Sequence, residues 1–130
     1  MPLFKANPVG LVAWGFLSGV LLGVGCTKSN RAPAAAVSVE QAPATIETAF
    51  RDAPSEARQQ ATEAVTALRS QNDAAAFVQL QNLSGRSDLT AEQRQAAFAS
   101  WMAVNQRLQQ SAANGNSAAQ DLLEKYRASK

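Results

Sequence analysis

The chain has no histidine and only one cysteine, Cys26. Without histidine, the commonest general base and the commonest metal ligand are both missing, and a serine triad cannot be assembled. A single cysteine excludes an intrachain disulfide. Charge of either sign is scarce and balanced: 12 Lys and Arg against 10 Asp and Glu, a net charge of +2 over 130 residues. No basic block of the kind that tracks a phosphate backbone occurs, so nucleic acid is not expected as a partner. No serine sits in a G-x-S-x-G elbow, and no glycine-rich loop follows a strand. Glu56 and Glu63 share a helical face but are flanked by Arg, Gln and Thr, which reads as a solvated surface and not as an acid–base pair. No two His or Cys ligands lie at i,i+3 or i,i+4 spacing. No catalytic residue, metal or cofactor is therefore expected, and the chain reads as non-enzymatic.

What is present begins with a long apolar run. Lys5 and the chain amine make the start positive, Pro8 ends that region, and Val9 to Val24 carries no charge. This is the layout of an export signal. The run is somewhat shorter than the ~20 residues that span a bilayer comfortably. After it come Gly25-Cys26 and the polar segment Thr27-Lys28-Ser29-Asn30-Arg31.

The segment Leu21-Leu22-Gly23-Val24-Gly25-Cys26 resembles a bacterial lipoprotein signal, whose lipobox ends in the cysteine that becomes lipidated. The resemblance implies a signal peptide over 1–25, acylation of Cys26 with diacylglycerol, and Cys26 as the mature N-terminus. It places the chain in the bacterial cell envelope, lipid-anchored on the exported side of a membrane. Thr27 stands where some bacteria use Asp as a retention signal, which implies the outer membrane over the inner one. Two other readings stay open. Cys26 could end an ordinary signal peptide. Alternatively, the segment could be an uncleaved anchor that dimerises through Gly15, Gly19 and Gly23, which form two overlapping GxxxG steps.

Residues 26–44 have the composition of a flexible, disordered linker, with Pro33, Pro43 and few large apolar residues. The other reading of this stretch is a short strand at Val37 and Val39 packed on the domain. From Thr45 the apolar period becomes helical, and 45–130 is expected to fold as one all-α domain, a small bundle of four to five helices. Ile46, Ala49 and Phe50 mark a short lead helix, with Glu47 and Arg51 spaced for an ion pair. That helix stops before Pro54, which suits the first turn of the next. The second helix carries Ala57, Ala61, Ala64, Val65 and Leu68. Asp73 is the expected cap of a third, with Phe77, Leu80 and Leu83 on its apolar face. Gly85 is expected in a left-handed conformation at its end, followed by a polar loop to Leu89. Thr90 to Gln93 forms a capping box. The long fourth helix carries Ala97, Phe98, Trp101, Met102, Asn105, Leu108 and Ala112. Gly115 stops it, and Asn116 or Ser117 caps the last helix, where Asp121 and Lys125 are spaced to pair. The expected core is Leu68, Phe77, Leu80, Leu83, Phe98, Trp101, Leu108 and Leu122.

The connections are short, so two antiparallel helical hairpins are expected after the lead helix. Their turns, "QNDAAAF" and "AANGNSAAQDLLEKY", are similar to the inter-helix turns of tetratricopeptide and Sel1-type repeats. That resemblance implies a groove for a peptide or protein. Trp101 and Met102 are neighbours on one helix and diverge by about 100°. Either one is buried and the other faces a partner, or the helix is central and covered on two sides. With Asn105, the odd polar residue of the stripe, they form the candidate interaction face. The expected role is structural or protein-interacting, with an envelope protein or peptide as partner besides the membrane. The alternative is a carrier of small apolar ligands or lipids, with a cavity among Phe77, Phe98 and Trp101.

Overall fold

The computed structural model describes residues 36–130. The leader, Cys26 and the Gly15/Gly19/Gly23 steps lie outside the described residues. Five helices follow in order: α1 (Ala42–Ala49), α2 (Ser55–Arg69), α3 (Asp73–Ser84), α4 (Ala91–Ala113) and α5 (Ser117–Ala128). The described residues contain no strand, and none of their helices is long and apolar enough to cross a membrane. The fold is the all-α bundle expected. Its packing closes into a ring: α1 lies on α2, α2 on α3, α3 on α4, and α4 back on α1, while α5 rests on α4 outside the ring. The two hairpins are present, but the most extensive packing is between them, α3 on α4.

The ordered chain reaches further back than the composition of 26–44 suggests. Ser38 to Gln41 forms a turn, with the Gln41 amide donating to the Ser38 carbonyl at 3.1 Å. Val37 and Val39 pack against the core, not as a strand. The first helix starts at Ala42, three residues before Thr45, and Ala42 is fully buried. Pro43 does not block it, because in the first helical turn the missing N–H has no partner to lose.

One turn design is used twice. After α2, Asn72 N–H donates to Ala67 O at 2.9 Å and Gln71 N–H to Leu68 O at 3.1 Å. After α4, Asn116 N–H donates to Ser111 O and Gly115 N–H to Ala112 O, both at 3.1 Å. Both are Schellman closures, with the left-handed position filled by Gln71 (φ 56°) and Gly115 (φ 92°). In each, the following asparagine caps the next helix, its side chain accepting from Ala75 N–H or Ala119 N–H at 3.1 Å. The cap of α3 is thus Asn72 and not Asp73. Gly85 also departs from expectation, with φ −82° and an ordinary right-handed conformation. The capping box of α4 forms as expected: Gln93 N–H donates to Thr90 Oγ1 at 3.2 Å, and Gln93 Oε1 accepts from Thr90 N–H at 3.1 Å.

The core is built from Ile46, Phe50, Ala57, Ala61, Ala64, Val65, Leu68, Phe77, Leu80, Leu83, Leu89, Ala97, Val104 and Leu108, with Ala119 and Leu123 from α5. Two members of the expected core, Trp101 and Leu122, are only partly buried, and Phe98 is exposed. On α4 the buried face runs through Gln93, Ala97, Ser100, Val104 and Leu108, about one residue, or 100°, away from the stripe of large apolar residues. Small side chains let neighbouring backbones approach, and Ala96, Ala97, Ser100 and Ala103 supply them over the middle of this face. Leu89, in the loop expected to be polar, is buried and anchors the chain's entry into α4.

Freed from its cap, Asp73 binds Arg107 of α4 through both carboxylate oxygens; the Arg107 Nε to Asp73 Oδ2 distance is 2.7 Å. Arg86, after α3, grips Asp88 in the same two-pronged way at 2.8 and 2.7 Å, and reaches Gln60 and Glu56 of α2. The hydrogen bond from Arg86 holds the Asp88 carboxyl below its usual range. Glu47 pairs with Arg69 across α1 and α2 at 2.8 Å instead of with Arg51. Asp121 and Lys125 form no ion pair, in keeping with the small net value of exposed pairs.

Two glycines therefore respond oppositely to a methyl group. A Cβ at Gly85 would meet only Gln81 O at 3.5 Å and Asn82 O at 3.6 Å, so Gly85→Ala is expected to stabilise by about 0.4–1 kcal/mol. Gly115→Ala, forced into the left-handed region, is expected to cost about 1–2 kcal/mol. Thermal melts of both variants, at roughly 4–8 °C per kcal/mol, check the sign. A second expectation concerns pH. Because the folded-state Asp88 carboxyl titrates below its unfolded value, its contribution is present above about pH 4 and is lost as pH falls through the lower folded value. Urea midpoints from pH 7 to pH 2 are expected to fall less steeply in Asp88→Asn than in the wild type.

Candidate functional site

The outer face of α4 is left uncovered by the other described helices. Its N-terminal half is fixed by the capping box, its buried face by α1 and α3, and its C-terminal half by α5 and the Arg107–Asp73 bridge. What is left outward includes Gln95, Phe98, Met102, Gln106 and Gln109. Phe98 is 53% exposed and Met102 46%, two of the large apolar residues that solvent reaches most. They stand four residues apart, one above the other.

A groove of about 470 Å³ runs along this face, lined by Ala36, Val37, Phe98, Ala99, Met102, Asn105, Gln106 and Gln109. None of these is charged. A second groove of about 560 Å³ adjoins it at Val37 and Ala99, between α1 and α4, bordered by Thr45, Thr48, Gln95 and Glu92. Arg94 borders a third depression that also touches Phe98. From Gln95 to Ala113 the only charged side chain on α4 is Arg107, which Asp73 occupies.

Under the exposed ring lies a stack of aromatics. Phe98 stacks on Trp101 at 5.9 Å, Trp101 meets Phe77 at 5.3 Å, and Tyr126 of α5 stands edge-on to Phe77 at 5.1 Å. Phe77 is 1% exposed. Such pairs add about 0.5–1.5 kcal/mol each beyond their buried area. Tyr126 thus closes the core between α3, α4 and α5, and Lys130 sits over its outer face at 5.0 Å. The Trp101 Nε1 hydrogen and the Ser100 hydroxyl are buried without a partner.

Of the three expected interaction residues, Met102 and Asn105 come together in the uncharged groove. Trp101 does not line it. It supports Phe98 from below, half-buried. Both open readings of Trp101 and Met102 meet here: α4 is central, covered on several sides, and Met102 still faces outward. Phe98 lies on the exposed groove and not in the core. The i,i+4 spacing puts Phe98 and Met102 on one ridge but does not say whether that ridge is buried. Val37 was out of reach of sequence reasoning, since its place depends on the turn before α1. Glu56 and Glu63 are engaged separately, with Arg86 at 3.5 Å and Gln59 at 3.3 Å. Among the described residues no group of three His, Cys, Asp or Glu is placed to hold a metal.

Compared with protein-family models, with curated proteins and with solved structures, the chain matches none.

Replacing the two phenylalanines separates site from core. Phe77→Ala is expected to cost about 3–5 kcal/mol. Phe98→Gln is expected to cost about 0.5–1.5 kcal/mol, the value of one lost aromatic pair. Denaturant titrations of the two variants measure the difference.

Proposed function

We propose that the chain is a bacterial envelope lipoprotein, held at a membrane through a diacylglyceryl group on Cys26, whose helical domain is a non-enzymatic structural or interaction module. The uncovered, uncharged face of α4 around Phe98 and Met102 carries the interaction part of this reading. Depletion of charge with an aromatic and a methionine at the centre is the composition of recognition surfaces. The anchor rests on the lipobox-like segment Leu21 to Cys26.

The carrier alternative is less favoured, because Trp101 packs against both Phe77 and Phe98 where the cavity would lie. The uncleaved-anchor alternative differs in mass, which makes the test direct. Intact mass of the protein extracted from its membrane is expected to correspond to residues 26–130 plus a diacylglyceryl group, and that addition is expected to vanish in Cys26→Ser. An unmodified full-length chain would overturn the lipoprotein reading and favour the Gly15/Gly19/Gly23 anchor.

A further inference from the structure

We propose that the Phe98–Met102 face of α4 is a lipid-docking surface, on which the domain rests against the membrane that holds its own anchor. This deepens the reading above and depends on it for the anchor at Cys26. Two independent observations carry it, one geometric and one chemical.

The geometric observation is where the chain enters the domain. Ala36, the first described residue, and Val37 line the same groove as Phe98, Met102 and Asn105. Only ten residues of chain lead from Cys26 to Ala36, and fully extended they reach at most about 35 Å. A domain of this size has a radius of gyration of about 12 Å and hence a diameter of about 30 Å. The far side of the domain could face the membrane only with the connecting chain stretched to its limit. The groove side reaches it at any extension.

The chemical observation is the make-up of that side. Phe98 and Met102 supply its apolar part, and the amides of Asn105, Gln106 and Gln109 continue it along α4. An apolar centre enters the boundary between headgroups and acyl chains, and amides stay at the headgroup level. A charge at the centre would oppose this, and none is present. Arg94 borders the depression beside Phe98, and the sequence carries Lys28 and Arg31 and no acidic residue between Cys26 and Ala36. Glu92 borders the adjoining groove against α1. Positive charge beside an apolar centre fits an anionic lipid surface. The contact itself can be weak, because a short tether supplies an effective concentration in the millimolar range.

The test uses the lipidated protein purified from its membrane, with its mass recorded first, in vesicles of phosphatidylethanolamine and phosphatidylglycerol. Half of the preparations carry bromine on the acyl chains. In a chain beginning at Cys26, Trp101 is the only tryptophan, and it stacks on Phe98. Trp101 fluorescence is expected to be quenched by the brominated chains, and this quenching is expected to be lost in the Phe98→Gln, Met102→Gln double variant. Circular dichroism confirms that the variant is folded. An unquenched wild type, or a folded variant quenched as strongly as the wild type, overturns the proposal. Wild-type protein that is unquenched but cross-links in pairs, with the pairs lost in the variant, overturns it in favour of a second copy on this face. If the mass shows no lipid, the lipoprotein reading fails by itself. Residues 26–130, which contain the whole buried core described above, are then coupled through the lone Cys26 thiol to a maleimide lipid in the same vesicles, and the same quenching decides the docking.

Discussion

The packing of the eight-residue α1 against α4 is the contact on which the rest of the architecture depends. It turns a row of helices into a closed ring, with Ile46 and Phe50 as the side chains that fill the near end of its core. A helix this short is not stable alone. It forms because Ala42, Ile46 and Phe50 lose nearly all their exposure on the ring, and burying a side chain such as Ile or Phe stabilises by about 1.5–3 kcal/mol. Closure also sets the rotation of α4. Ala96, Ala97, Ser100 and Ala103 face inward where α1 and α3 approach, with Val104 and Leu108 following them, and Phe98, Trp101 and Met102 are turned to the seam with α5 or to solvent.

That rotation joins fold to site. Trp101 ends at the seam, between Phe77 below and Phe98 above, and Tyr126 completes the cluster from α5. Phe98 and Met102 end outside, beside Val37. The groove is therefore a consequence of packing small faces inward, and the cost of exposing a phenylalanine is partly offset by its stacking on Trp101. The same rotation gives Arg107 its position opposite Asp73, so that the one charge on α4 between Gln95 and Ala113 is already paired.

Local chemistry was the most legible layer. The capping box at Thr90, the stop at Gly115 and the cap at Asn116 follow from donor and acceptor positions within four residues of one another. The departures have one cause. Asp73 and Gly85 fit the roles assigned to them, but neighbours took those roles. Asn72 could cap α3 because Gln71 accepts a left-handed backbone, leaving Asp73 for a partner 34 residues away. Gly85 kept a right-handed backbone, with Arg86 binding Asp88 and α2 beyond it. Glu47 likewise chose Arg69 over the sequence-near Arg51.

The sequence by itself determined the helical class, the helix count to within one and most of the helix ends, because hydrophobic period and capping act over a few residues. It also set the chemistry of the α4 stripe: large, apolar and uncharged. Only the tertiary structure decided which side of α4 is buried. A helix with Ala or large apolar residues on most of its circumference has no preferred face until its neighbours are in place. For the same reason Phe98 could not be told from a core residue, nor Val37 from a linker residue, before α1 had closed on α4.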